Sequence, residues 1–269
     1  MFESFYGMEH TPFPRDIATD KLFHAPEHQE ALARLNYLVR TRGFGMLTGP
    51  VGSGKSTTIR ALHQSLDPAR YRFLYVSRSE LAPRSFYREL ARQLGLAPAH
   101  QGADAKQQAS EALWAAYQQQ KQPVVVVDEA HLLSAAMLEE ARFLTNFAMD
   151  SASPMTVILV GQPELRHRLA LKSFEAIRQR LQLRYHLGGL DANDCTAYIR
   201  HHLTVAGAAR PIFSDDALAL IAQVTQGIPR TINNLATGAL LAGYLEQKAI
   251  VDEQTVRRAV ADFDDGSVP

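Results

Sequence analysis

The segment Gly49-Pro50-Val51-Gly52-Ser53-Gly54-Lys55-Ser56 fits the pattern G-x-x-x-x-G-K-[ST], and nothing else in the chain narrows the fold as much. A loop of this kind needs a β-strand to deliver it and an α-helix to receive it. Its glycines let backbone N–H groups wrap phosphate oxygens, and the helix N-terminus behind it adds a favourable dipole. Both flanks are present: Phe44 to Leu47 reads as a short buried strand, and a helix is expected from Lys55 to Leu66. In such a loop Lys55 reaches the outer phosphates and the Ser56 hydroxyl is placed to ligate Mg²⁺. Gly49, Pro50, Val51, Gly52, Ser53, Gly54 and Thr57 complete the cradle. The competing reading is a glycine turn that happens to precede Lys-Ser.

The rest of the pattern implies a parallel sheet. Strands are expected at Phe73 to Val76, Pro123 to Asp128, Met155 to Val160 and near Leu183 to Leu187. Between them fall helices at 27–41, 83–94, 104–120 and 134–149, the first carrying Ala31, Leu32, Leu35, Leu38 and Val39 at helical spacing. Strands alternating with helices demand crossover connections, hence an α/β three-layer fold with a parallel sheet covered on both faces. After Gly188-Gly189 the pattern changes to helices near 191–206, 214–224, 229–247 and 252–262, an all-helical domain. The expected organisation is an aromatic arm at 1–26 packed on the core, a nucleotide-binding domain at 27–189, a helical lid at 190–264 and a tail at 265–269.

With 269 residues, 46% of them hydrophobic, 28 Lys+Arg balanced by 28 Asp+Glu and a single cysteine, the composition excludes a disordered chain and a disulfide scaffold. Zero formal net charge argues against nucleic-acid binding through bulk charge but leaves room for a local basic stripe. Without a signal sequence or an apolar run of membrane-spanning length, the expectation is a cytoplasmic protein with no membrane partner.

Val124-Val125-Val126-Val127 ends in Asp128-Glu129, two carboxylates that would be costly at a central strand end without a cation or a reacting group to meet. Asp128 is placed to hold Mg²⁺ through its water shell and Glu129 to polarise the water attacking a γ-phosphate. Gln162, after the strand Thr156 to Val160, could sense that phosphate or orient the water, simple turn chemistry being the alternative. One of Arg178, Arg180 or Arg184 could reach a neighbouring subunit's nucleotide as an arginine finger, or all three could be surface ion-pair partners. Arg230, in Gly227-Ile228-Pro229-Arg230, opens a helix and could read the γ-phosphate if the lid folds over it. Arg84, Arg88 and Arg92 share a helix face that could track a phosphate backbone with Lys106, though such a stripe is more often a solvated face; Glu80 and Glu89 lie off it. No histidine pair has metal-ligand spacing, His201 and His202 are expected on opposed sides of a helix, and Cys195 reads as a packed thiol.

In this order the loop, Asp128-Glu129, Gln162 and the Gly227 to Arg230 turn resemble Walker A, Walker B, sensor 1 and sensor 2 of AAA+ ATPases. Phe5-Tyr6-Gly7-Met8, Pro12-Phe13, Leu22-Phe23, Asp128-Glu129-Ala130-His131-Leu132 and Gly161-Gln162-Pro163-Glu164-Leu165 narrow the resemblance to the ExeA-type branch. The resemblance implies ATP and Mg²⁺ as ligands, hydrolysis to ADP and phosphate, and assembly into a ring or filament of like subunits. Secretion-type members usually continue into a transmembrane segment and a peptidoglycan-binding region. The opening Met1 to Gly7 with Arg15-Asp16-Ile17 instead looks like the stand-alone transposon ATPases of the TnsC, TniB and IstB type. That analogy implies duplex DNA and a transposase as partners and turns Arg84, Arg88 and Lys106 towards DNA. The alternatives are an assembly factor of a secretion or pilus apparatus and a nucleotide-gated scaffold with little turnover.

Overall fold

The structure, a computed structural model, describes residues 1–14, 17–77, 82–98, 102–144 and 153–265. Arg15, Asp16 and Glu80, the end of the helix expected at 134–149 and the last four residues of the chain lie outside them. In chain order the first elements are α1 (Phe2–Phe5), α2 (Pro26–Arg40), β1 (Phe44–Thr48), α3 (Lys55–Ser65), β2 (Tyr71–Val76), α4 (Pro83–Gln93) and α5 (Gly102–Gln118). There follow β3 (Gln122–Val127), α6 (Ala135–Phe143), β4 (Thr156–Gly161), α7 (Pro163–Ala170), α8 (Glu175–Arg180) and β5 (Leu183–His186). The chain ends with α9 (Ala192–Val205), α10 (Asp215–Thr225), α11 (Pro229–Leu245) and α12 (Glu253–Asp265).

Two compact units partition these elements. The sheet unit comprises Glu30–Pro50 and Lys55–Leu187. Its five strands are all parallel, in the order β2-β3-β4-β1-β5. Strands β1 and β4 are buried along their whole length and β3 along all but Gln122, so their apolar runs serve two faces at once. On one face Met46, Val125, Val127, Val157 and Leu159 pack with Phe86, Leu90, Leu113, Met137 and Ile177 from α4, α5, α6 and α8. On the other, Leu47, Val124, Val126, Ile158 and Val160 pack with Leu35 and Leu38 of α2 and Ile59 and Leu62 of α3. This is the three-layer α/β arrangement that the sequence implied. At the β2 edge the Gln93 side chain accepts from the Tyr75 N–H at 3.0 Å and donates to the Tyr75 carbonyl at 2.8 Å, occupying backbone groups that another strand could otherwise pair with.

The helical unit comprises Met1–Gln29, Val51–Gly54 and Gly188–Pro269. Asp191 caps α9 by accepting from the Asp194 N–H at 2.7 Å, and Ser214 caps α10 by accepting from the Ala217 N–H at 3.2 Å. The aromatic arm belongs to this unit, where the sequence reading laid it on the nucleotide-binding core. Phe2, Tyr6, Met8 and Phe13 share a core with Ile199, Leu203, Ile221, Leu235 and Leu240. The arm's apolar side chains fill the surface that the four C-terminal helices leave uncovered, and its backbone is tied down where Glu9 and His10 N–H groups donate to the Ala206 carbonyl at 2.8 and 3.1 Å. His201 and His202 do not point to opposed sides: their rings lie 5.7 Å apart, and both meet the arm, His201 against Phe23 and His202 against Phe13. A helical step of 100° between neighbours leaves both rings within reach of one packed segment. Cys195 is buried, and burial pushes its thiol up to about 11.

Candidate functional site

Three neighbouring strands bring the sheet unit's candidate residues to one edge. β3, β4 and β1 lie side by side, so Asp128, Gln162 and Gly49 follow adjacent carboxyl ends, where α/β sheets bind ligands. Gly49 N–H donates to the Gly161 carbonyl at 3.2 Å, extending the β1–β4 register into the loop. Lys55, at the first position of α3, donates Nζ to the Gly49 and Pro50 carbonyls, each at 2.8 Å. Ser56 and Thr57 follow on the first turn of the same helix.

Asp128 is 7% exposed, its Oδ1 accepting from the Glu129 N–H at 2.8 Å and its Oδ2 from the Tyr75 hydroxyl. Burial, and then the bond and charge of Asp128 with the charge of Glu129, raise the Tyr75 phenol well above its ordinary range. The tyrosine therefore stays a donor and fixes the carboxylate's orientation. Glu129 adopts φ +51°, a left-handed conformation uncommon for a residue with a side chain, and its carboxyl is half-exposed. Its Oε2 lies 3.4 Å from Nδ1 of His131, whose own carbonyl accepts from Arg168 Nη1 at 2.6 Å. Gln162 stands at the N-cap of α7, where its side chain makes no capping bond among the described residues and its carbonyl accepts from the Leu165 N–H at 3.0 Å.

The loop residues Val51–Gly54 cluster with the helical unit. Gly52 has φ +84°, and a Cβ there would lie 2.5 Å from the Arg230 Cβ; the Arg230 N–H donates to the Gly52 carbonyl at 3.3 Å. Arg230, on the first turn of α11, therefore has its stem laid on a phosphate-loop glycine. Gly54 has φ +96°, and a Cβ there would lie 2.3 Å from Nε2 of His28. That nitrogen meets the Ser53 carbonyl at 3.1 Å, and a carbonyl can only accept, so Nε2 carries the proton. Burial lowers the His28 pKa, with the Ser53 carbonyl opposing. Among the described residues the buried Ser53 hydroxyl has no hydrogen-bond partner. The sequence assigns no role to His28, Tyr75, His131 or Arg168. Only His131, inside Asp128-Glu129-Ala130-His131, stood in a motif that could have flagged it.

The three candidate fingers separate. Arg178 and Arg184 share with Arg166 the wall of a cavity of about 390 Å³, with Thr48, Tyr185 and His186 on its other sides; Arg180 is not among its lining residues. Arg184 Nη2 also donates to the Arg178 carbonyl at 2.6 Å. Of the basic stripe, Arg84 is exposed and Arg88 half-buried on α4, but Arg92 pairs with Glu89, which the sequence reading had placed off the stripe. Lys106 pairs with Glu140 at 2.7 Å and lies over the rings of Tyr87 and Phe143. Burial alone would raise the Glu140 carboxyl, but hydrogen bonds from Lys106 and Tyr87 bring it below its ordinary value. Among the described residues there is no group of three or more His, Cys, Asp or Glu that could hold a metal by itself, and no helix is long and apolar enough to cross a membrane.

Residues 39–169 match the family described as AAA domain. The superposed solved structures include Drosophila ORC bound to DNA, with a TM-score of 0.70 at 17% identity, covering 97% of this chain and 65% of that one. They also include the Aeropyrum pernix ORC2 protein in ADPNP and ADP complexes, with a TM-score of 0.67 at 15% identity, covering 96% of this chain and 74% of that one. The fold is that of an AAA+ P-loop protein. In sequence the chain is 37% identical over 248 residues to General secretion pathway protein A of Aeromonas hydrophila, an alignment that covers 91% of this chain. The chain spans about half of that relative's length, 45% of it. Together these findings show an AAA+ fold and a sequence similar to that of a general secretion pathway protein.

Proposed function

We propose that the chain binds ATP with Mg²⁺ at Gly49 to Thr57 and hydrolyses it in an assembly of like subunits. The observation that carries this reading is the meeting of the loop, the buried Asp128 and the half-exposed Glu129 at adjacent strand ends. The residues suit the ligands: two left-handed glycines leave no room for a side chain in the loop, Lys55 heads a helix, and Asp128 is an oriented carboxylate. Ser56 and Asp128 would hold Mg²⁺, which when bound neutralises phosphate charge. Lys55 binds the outer phosphates, Glu129 orients the lytic water and accepts its proton, and Gln162 aligns water or γ-phosphate. Arg230 reads the γ-phosphate from the loop glycine it rests on, and Arg178, Arg180 or Arg184 completes the site of the next subunit.

For the biological role, the sequence relation to a general secretion pathway protein favours an ATPase that drives assembly of a secretion or pilus apparatus. The reading as a DNA-bound transposition regulator rests on the basic side chains of α4, of which Arg84 is exposed; Arg92 and Lys106 are each paired with a carboxylate. Sedimentation of the Glu129→Gln protein in ATP and in ADP, with and without random duplex DNA at two salt concentrations, tests both parts. ATP-dependent assembly without DNA is the expected result, and its absence overturns the oligomeric reading. Salt-sensitive co-assembly with DNA restores the transposition role and rejects the secretion one.

A further inference from the structure

A nearly buried polar side chain stands beside the strand ends that carry Asp128 and Gln162. His131, its side chain 9% exposed, has Nδ1 3.4 Å from Glu129 Oε2 and 3.4 Å from the backbone N of Gln162. These partners make opposite demands. The carboxylate oxygen can only accept a hydrogen bond, and the Gln162 N–H can only donate one. A single ring nitrogen satisfies either but not both: bare, it accepts from Gln162; protonated, it donates to Glu129. The surrounding backbone holds the ring at this branch point. Arg168 Nη1 donates to the His131 carbonyl at 2.6 Å, and the Leu132 N–H donates to the Glu129 carbonyl at 2.9 Å. Even a Cβ on Gly161 would come within 3.2 Å of the His131 backbone nitrogen.

We infer that His131 is a positioning residue that links Glu129 to the head of α7, the proton on its ring selecting which of the two it holds. This rests on the hydrolytic reading of the site. With the proton on Nδ1, Glu129 is drawn to the ring and away from the lytic water, and the N–H that precedes α7 loses its acceptor. With the proton on Nε2, Glu129 is released and Gln162 is fixed, which is the arrangement competent for hydrolysis. The exchange leaves the imidazole neutral: Nδ1 gives one proton to water as Nε2 takes one from it. The state of α7 and the availability of Glu129 are thereby made mutually dependent across 33 residues of sequence.

Two substitutions and one spectroscopic signature test this. His131→Asn keeps a group at the Nδ1 position that can accept or donate, whereas His131→Phe keeps the ring and removes the nitrogen. The Phe variant is expected to lose at least about tenfold in kcat with KM for ATP within about twofold, and Asn to recover most of the loss, since misplacing a catalytic group by about 1 Å costs up to about a hundredfold. Wild-type kcat in the Phe variant, or equal losses in Asn and Phe, overturns the inference. If the wild-type protein binds ATP but releases no phosphate, the hydrolytic reading fails, and the ¹⁵N shifts of the His131 ring still decide the linkage. Different tautomers with a non-hydrolysable ATP analogue and with ADP support it, and the same tautomer in both rejects it.

Discussion

Gly54 shows how narrowly the phosphate loop is specified, because both its backbone and its neighbour exclude a side chain. Holding an L-residue in the left-handed region costs roughly 1–2 kcal/mol, and the Cβ would also strike His28. Gly54→Ala is therefore expected to weaken binding of a fluorescent ATP analogue by at least about tenfold, a factor that corresponds to about 1.4 kcal/mol. Combining it with His28→Ala removes the collision but not the strained φ, so only part of the affinity should return; full recovery would show that sterics alone matter. The residues proposed to face the ligand stand out in the sequence, because Lys55, Ser56, Asp128 and Glu129 sit at fixed spacing from a strand end. Their supports were not. Tyr75 meets Asp128 across 53 positions, and Arg168 meets His131 across 37, separations at which no local pattern speaks.

Elements were legible where they are long and periodic. The strands and the long helices of both units stand close to their expected ranges, because buried apolar runs and amphipathic spacing carry them. The short helices α7 and α8, of 8 and 6 residues, went unread: too few turns fit into them for a period to emerge. The arm was recognised as ordered but assigned to the wrong partner, since its aromatic side chains announce burial without saying against what. Its packing makes two predictions. A Cβ on Gly243 of α11 would lie 2.5 Å from the Tyr6 hydroxyl, which donates to the Leu240 carbonyl at 3.3 Å, so Gly243→Ala should displace the arm and lower Tm by several degrees. An unchanged Tm would mean that the arm yields freely. His202, buried against Phe13 and Tyr198, has its pKa lowered from 6.5 to about 4 by burial and then by His201. The unfolded chain takes up this proton below about pH 6.5 and the native chain only near 4, so stability falls as pH drops through that window, by at most about 1.4 kcal/mol per pH unit. Urea unfolding at pH 7 and pH 5 should show a smaller difference for His202→Phe than for wild type, and equal differences would contradict the assignment.

Across the whole molecule, the two units each have their own core, and the phosphate loop is divided between them: Gly49, Pro50 and Lys55 to Thr57 with the sheet, Val51 to Gly54 with the helices. The proposed hydrolysis turns on the carboxylate of Glu129. The most direct measurement is phosphate release from ATP by the wild-type and Glu129→Gln proteins, after a binding titration has shown that both hold the nucleotide and that Lys55→Ala does not. Turnover is expected in the wild type and a loss of at least about a hundredfold in the Gln variant, equivalent to about 2.7 kcal/mol of transition-state stabilisation. Wild-type turnover by Glu129→Gln, or none by the wild type with ATP bound, would contradict it.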